Sequence, residues 1–318
     1  MKVLITGITG MIGSHLAAYL QKQGCEVAGI SRATTAFRMQ SHRTLPWKHY
    51  AGDILDVVFL EKAMRDFCPD VVYHLAAQAY NGQSYEAEQT TYALNVTGAW
   101  NVYNAVRNCV PKARVIPACS SAAYGAALTD APVSEESPLK PLTPYGVTKA
   151  TMEMMGRQFC LNYGMDIVLP RLFIHVGPNH PPLTAIQNFA RQAASIKLGL
   201  VPPVMKVGNL TTARDFIDVR DGASALWILA QKGVKGEVYN ICRGYAWKIS
   251  DMLELLLKIA DIKVNVEQDA SLMRPSDEKT LLGDNTKLRA LGWKPVIPFE
   301  TTLRDIFNNW MERLGNEK

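Results

Sequence analysis

The sequence predicts an α/β protein: a doubly wound parallel sheet carrying a smaller, discontinuous C-terminal lobe. Three features lead there. Short apolar runs alternate with helix-length amphipathic stretches through the first half of the chain. A glycine triplet separates the first such run from the first helix. Beyond about residue 173 the alternation gives way to segments rich in proline and glycine. With 318 residues and 48% hydrophobic composition, the chain can bury a full core, in one large domain or two closely packed ones.

In order, "KVLI" reads as the first strand, followed by a helix from about Met11. "EVAGI" and "VVYHLA" are further strands, a helix runs through "NVTGAWNVYNAVRN", and "RVIPACS" is the next strand. Strands joined by helices imply right-handed crossovers and parallel pairing. Their continuously apolar character suits a sheet covered on both faces. A helix over about Tyr145 to Tyr163 precedes the strand "DIVLPRLF". "HVGPNHPPLT" and "GLVPPVMKVGNL" read as loops and short elements of the smaller lobe, whereas "DVRDGASALWILAQ" and "EVYNIC" return to the main sheet. From "ISDMLELLLKIA" onward the tail reads as helical and then irregular. The boundaries expected are a main domain over 1–172, completed by about 213–243, and a lobe from 173–212 and 244–318.

A net charge of +5, spread along the whole length, fits an anionic small ligand and supplies no basic tract for nucleic acid. Six cysteines stand singly, without CxxC pairs or a histidine cluster, which reads as reduced thiols and no metal. The N-terminus enters a strand at once and no apolar run reaches membrane-spanning length. A soluble, cytoplasmic protein is expected, with no membrane partner.

"TGITGMIG" places Gly7, Thr9, Gly10, Met11, Ile12 and Gly13 between strand and helix. Glycines allow the tight turn and close approach of a pyrophosphate, and the helix N-terminus offers free N–H groups to it. This points to a Rossmann-type dinucleotide site in the first domain. At the end of the second strand, Ser31 and Arg32 stand where an NAD site usually presents a carboxylate. Arg32 suits a 2′-phosphate, favouring NADP(H) and leaving NAD(H) open. Asp53 and Ile54 follow the third strand, beside an adenine edge. "HLAAQ" ends the fourth with small residues that let a dinucleotide pass.

Tyr145 and Lys149 in "TPYGVTKA" lie four apart, on one helical face. An ammonium near the phenol is expected to lower its pKa, so that the tyrosine trades a proton with a carbinol or carbonyl. Ser120, in "CSSAAYG", can hydrogen-bond the same oxygen.

Together, TGxxGxxG, the Ser120 loop and the Tyr145/Lys149 pair resemble the extended short-chain dehydrogenases/reductases, the NAD-dependent epimerase/dehydratase family that acts on nucleotide sugars. The resemblance runs over the whole chain. It is nearest the branch holding GDP-mannose 4,6-dehydratase and GDP-6-deoxy-4-keto-mannose reductase, in "AAQAY…QSYE", "RLFIHVGP", "KVGNLTTARDFIDVRD" and "RPSDEKTLLGDNTKLRALGWKP". It implies Tyr145 as acid/base, Lys149 on the nicotinamide ribose and Ser120 polarising the sugar oxygen. It also places Leu75, Ala76, Ala77, Gln78, Tyr92, Leu172 and His175, with the glycine-turn, Arg32, Asp53 and Ile54 positions, on the cofactor. Ser84, Ser121, Val207, Arg214, Arg274 and Asp277 fall on the nucleotide sugar, the arginines on its diphosphate and Asp277 on the nucleotide ribose. A homodimer is implied as well, through the helix bearing Trp100 and Tyr103 and the helix bearing Tyr145.

Two departures bear on the reaction. Dehydratases of the family carry a carboxylate two residues after the catalytic Ser/Thr, which assists elimination. Here that residue is Ala122, and alanine transfers no proton. Ile174 stands where an asparagine commonly touches substrate. Ketone reduction needs only a hydride donor and one proton donor, so a reductase of a GDP-linked 4-keto-6-deoxy sugar leads. A 4-epimerase, a dehydratase with its acid at Glu135 or Glu136, and a non-catalytic NADP(H) sensor stay open. Cys119 has no adjacent base and reads as packing. His180 reads as either a site residue or a solvated loop histidine.

Overall fold

The computed structural model describes residues 1–32, 47–126, 131–273 and 280–316. The first half comprises β1 (Lys2–Thr6), α1 (Met11–Lys22), β2 (Glu26–Ser31), β3 (Lys48–Ala51), α2 (Val57–Phe67) and β4 (Val71–His74). Then come α3 (Asn81–Glu86), α4 (Glu88–Tyr92), α5 (Gly98–Cys109), β5 (Arg114–Pro117) and β6 (Cys119–Ser120). After these follow α6 (Pro144–Tyr163), β7 (Leu169–Leu172), β8 (Ile174–Val176), α7 (Ala185–Lys197), β9 (Val204–Val207), β10 (Ala213–Asp218), α8 (Val219–Lys232) and β11 (Val238–Ile241). The tail holds β12 (Ala246–Lys248), α9 (Ile249–Ala260), β13 (Asn265–Gln268), β14 (Thr280–Leu281), α10 (Thr286–Ala290) and α11 (Phe299–Gly315).

The main sheet runs β3-β2-β1-β4-β5, parallel throughout. It continues sideways because Val115 on β5 donates its N–H to the Asp166 carbonyl at 2.8 Å and accepts from Val168 N–H at 3.0 Å. That segment leads into the parallel set β6-β7-β11. Strand order grows in opposite directions from β1, toward β2 on one side and β4 on the other. The loops leaving β1 and β4 therefore part and open a crevice at the carboxyl ends of the strands.

Side-chain alternation along β1 explains why its apolar run is unbroken. Leu4 joins a core with Leu60, Val102 and Phe159 from α2, α5 and α6. Val3 and Ile5 join the opposite core, with Leu16 and Leu20 of α1 and Leu226 and Leu229 of α8. The smaller lobe centres on β10, which pairs antiparallel with β12 and parallel with β14 and β8. A third core there packs Phe189, Phe216, Leu256, Phe307 and Trp310.

"GLVPPVMKVGNL", read as loops and short elements, contains strand β9, paired in parallel with β13 some sixty residues on, a partner that local pattern cannot supply. One expectation needs correcting. The tail is not irregular: it ends in α11, whose buried Phe299, Thr302, Leu303, Ile306, Phe307 and Trp310 keep helical spacing. Among the described residues no helix is long and apolar enough to cross a membrane.

Candidate active site

A cleft of about 1250 Å³ follows the carboxyl ends of the main strands and is walled on the far side by the smaller lobe. Small-molecule sites usually take roughly 300–1,000 Å³, so this one has room for a cofactor and a second ligand. At one end the chain leaves β1 in a turn that only glycine allows. Gly7 has φ +73°, and a Cβ there would meet Ala76 N at 2.8 Å; one on Gly13 would lie 2.4 Å from the Gly7 carbonyl oxygen. Gly10 N–H closes the turn on that carbonyl at 3.0 Å. Gly10 is also the N-cap of α1 and offers no side chain to the first-turn N–H groups. With Thr9, Met11 and Ile12 lining the cleft beside it, the helix presents an uncapped, positive terminus to an anion. This cradle fits a dinucleotide pyrophosphate.

Farther along, Ser31, Arg32, Asp53 and Ile54 line the same cleft, with Arg32 exposed at its rim. Ser31 Oγ pairs with His49 Nε2 at 2.8 Å, and Asn101 Nδ2 donates to the Ile54 carbonyl at 3.1 Å, fixing that edge. Leu75, Ala76, Ala77, Leu172 and His175 form the floor. His175 Nδ1 is bonded to the Phe173 carbonyl at 2.8 Å, while its buried Nε2 has no partner among the described residues. Burial pushes this imidazole down to about 4, so it stays neutral.

Tyr145 and Lys149 sit near the start of α6, a helix capped by Thr143, whose Oγ1 accepts Gly146 N–H at 2.9 Å, and begun by Pro144. Lys149 Nζ donates to the Ala118 carbonyl at 2.8 Å and lies 5.7 Å from the centre of the Tyr145 ring. Ser120 stands close enough to the Tyr145 hydroxyl to oppose the rise in its pKa, and Ser120 Oγ accepts Ala122 N–H at 3.2 Å. The expected lowering of the phenol is not found. Burial pushes Tyr145 up to about 12 against the opposing influence of Ser120, and burial brings Lys149 down to about 8. The lysine is turned toward a backbone carbonyl rather than the phenol oxygen. Tyr145 therefore holds its proton at neutral pH, the state a general acid needs.

Residues 4–306 match the family model described as GDP-mannose 4,6 dehydratase. The chain belongs to that family. It is 31% identical over 318 residues to the GDP-6-deoxy-D-mannose reductase of Pseudomonas aeruginosa, covering 99% of each. To GDP-mannose 4,6 dehydratase 1 of Arabidopsis thaliana it is 29% identical, over 99% of this chain and 91% of that one. A solved structure of RMD from Pseudomonas aeruginosa, complexed with NADPH, shares the fold with a TM-score of 0.83 at 30% identity, over 98% of this chain and 99% of that one. The fold is thus the Rossmann-type doubly wound sheet with its lobe, and the chain is an extended short-chain dehydrogenase/reductase.

Within this GDP-mannose 4,6 dehydratase family chain, Ser121 and Arg214 also line the cleft, but four expected contact residues do not. Gln78 turns its amide to the Tyr80 carbonyl at 3.0 Å, and its N–H to Asn95 Oδ1 at 2.9 Å. Ser84 is fully buried and donates to the Asn81 carbonyl at 2.7 Å. Tyr92 lies at the end of α4, exposed away from the cleft. Val207 ends β9 inside the lobe core. Arg274 and Asp277 lie outside the described residues. Neither Glu135 nor Glu136 reaches the cleft: Glu135 Oε1 accepts Asn240 N–H at 2.7 Å, and Glu136 is exposed. Cys119 is buried and its thiol pushed well up by desolvation, as a packing residue would be.

The sequence reading missed Tyr80, Asn81 and Glu86. Tyr80 meets His180 edge-to-face with ring centroids 5.7 Å apart, and both line the cleft. Asn81 Oδ1 accepts from the Thr143 hydroxyl at 3.1 Å, tying α3 to the cap of α6. Tyr80 and Asn81 were signalled by position, just after the small residues that follow β4, and Tyr80 and Glu86 fall within the "AAQAY…QSYE" stretch of the resemblance.

Proposed function

We propose that the protein is an NADP(H)-dependent reductase of the 4-keto group of a GDP-linked 4-keto-6-deoxy sugar. The observation that carries this reading is the turn after Ser120. Its cleft-lining residues are Ser120, Ser121 and Ala122, so no carboxylate stands beside Tyr145 on that turn. Among the described residues, the carboxylates lining the cleft are Asp53, beyond β3, and exposed Glu86, on α3. Elimination across C5 and C6 needs a second proton-transfer group, whereas ketone reduction needs only one proton donor.

Bound NADPH would supply the hydride. The uncapped start of α1 and the glycine turn hold its pyrophosphate, Arg32 its 2′-phosphate and Lys149 its nicotinamide ribose. Tyr145 gives its proton to the C4 oxygen while Ser120 hydrogen-bonds that oxygen. The Lys149 ammonium steadies the phenolate that results. Arg214, with Arg274, takes the nucleotide diphosphate, and Asp277 the nucleotide ribose. In this reading residues 1–172 with about 219–243 bind the cofactor, and 173–218 with 244–318 bind the sugar nucleotide; β10, which carries Arg214 and pairs with β12 and β14, falls to the lobe rather than to the main domain as expected. The reductase activity and NADPH complex of the relatives named above support it.

A homodimer is supported by the apolar side chains that adjoining α5 and α6 leave exposed, Trp100, Met154 (63%) and Leu161 (84%). Six free cysteines suit the reducing cytoplasm. The test is GDP-mannose incubated with NADP⁺. No 4-keto-6-deoxy product is expected; its appearance would overturn the reductase reading and direct attention to Glu86 as the acid.

A further inference from the structure

Behind the catalytic turn, polar side chains from separate elements meet in the protein interior. Arg171, on β7, donates from Nε to Glu153 Oε2 at 2.8 Å and from Nη2 to Glu153 Oε1 at 2.7 Å. This forked ion pair leaves each side chain 3% exposed. Arg171 Nη1 donates onward to the Tyr124 hydroxyl at 2.8 Å and to the Glu135 carbonyl at 2.9 Å. The Tyr124 hydroxyl in turn reaches Asn240 Oδ1, on β11, at 2.7 Å. None of these side chains lines the cleft.

A buried ion pair is weak evidence for stability, because desolvation offsets much of its attraction. Its use here is better sought in what it joins. Glu153 lies on α6 four residues past Lys149 and eight past Tyr145, on the same face of the helix. Arg171 lies beside Cys119 in the sheet, as Leu172 lies beside Ser120. Tyr124 closes the turn that Ser120 opens, its N–H donating to the Ser121 carbonyl at 3.1 Å. Glu153, Arg171 and Tyr124 thus form one hydrogen-bonded span from the helix of the general acid to the turn of its partner. The turn already abuts that helix at Gly146, where a Cβ would come within 2.7 Å of the Ala122 carbonyl oxygen.

The geometry points to Glu153, Arg171 and Tyr124 as positioning residues that set the spacing of Ser120 from Tyr145. This rests on the reading of Ser120 and Tyr145 as the reacting pair. Small misplacements of such groups are costly, up to about 10²-fold for 1 Å.

The test is a double-mutant cycle on reduction of the keto sugar by NADPH. Tyr124→Phe keeps the ring packed near Phe173 and removes only the linking hydroxyl. It should lower kcat about tenfold while leaving KM and NADPH affinity within about twofold. In a Ser120→Ala background the same change should have little further effect, because the two act through one contact. Tyr103→Phe is the control: it loses a buried hydroxyl bonded to the Met152 carbonyl of α6 at 3.2 Å, without touching the turn. It should change kcat little. Glu153→Gln, which can still accept from Arg171, should retain more turnover than Glu153→Ala. Equal proportional losses in both backgrounds, or a Tyr124→Phe effect no larger than the control, would overturn the proposal.

A second readout needs no turnover. With ring-labelled tyrosine, the Tyr145 resonance, assigned through Tyr145→Phe, should shift in Tyr124→Phe and stay put in Tyr103→Phe. If the wild type leaves the keto sugar unchanged, the reductase reading falls and this resonance still decides the positioning role. An unmoved Tyr145 signal in Tyr124→Phe would end it.

Discussion

Lys149 donates from Nζ to the backbone carbonyl of Ala118 across 2.8 Å, which ties the face of α6 that carries Tyr145 to the end of β5. The bond fixes the lysine while burial brings it down to about 8. A depressed lysine is charged below that value and loses its proton as pH rises through it. The phenolate left after proton donation is favoured by the charged form. Turnover in reduction should therefore be level below about pH 8 and fall above it. Tyr145, near 12, keeps its proton throughout this range and adds no break. Lys149→Arg stays charged at every accessible pH and should abolish the fall while slowing the reaction. A wild-type kcat that is flat or rising from pH 8 to 10 would contradict the assignment.

Tyr145→Phe removes the proposed proton donor and keeps the ring. General acid catalysis is typically worth about 10²–10⁴-fold, and kcat should drop by that order. NADPH, which the proposal holds chiefly through its phosphates at the other end of the cleft, should bind nearly as before in a fluorescence titration. Substantial residual turnover would move the acid elsewhere.

Gly146→Ala separates helix propensity from packing. In an open helix the change would stabilise by up to about 1 kcal/mol. Here the new methyl would stand 2.7 Å from the Ala122 carbonyl oxygen, a backbone atom that cannot rotate away. Overpacking of this kind costs about 1–3 kcal/mol, so denaturant unfolding should show net destabilisation and turnover should fall. A gain in stability would mean that the turn has room to yield.

Arg32→Ala should weaken NADPH about tenfold or more and NADH little, as expected for a lost charge-assisted contact. Parallel titrations of both cofactors decide it. An unchanged preference would place 2′-phosphate recognition on another residue.

What could be read from the sequence follows how local each signal is. Val3, Leu4 and Ile5 announce a strand covered on both faces, and both cores are there. Tyr145 and Lys149 reveal their common face by spacing alone, and the glycine turn reveals its cradle. The direction of the Tyr145 shift was not legible, because it depends on burial and on the lysine's choice of Ala118 over the phenol. Strand β9 was read no further than as a short element, because its partner β13 is remote in sequence. Tyr80 and Asn81 were missed because their value comes from His180 and Thr143, brought to them by folding. Val207 and Ser84, which the resemblance puts on the nucleotide sugar, face into packed interior, a matter of burial that their places along the chain do not reveal.

The reaction itself is read from the mass of the nucleotide sugar after incubation of the wild type with GDP-4-keto-6-deoxymannose and NADPH. Ketone reduction predicts a product heavier by two hydrogens, formed in step with NADPH oxidation and lost in Tyr145→Phe. A keto sugar recovered unchanged beside intact NADPH, from folded protein that binds both, would contradict it.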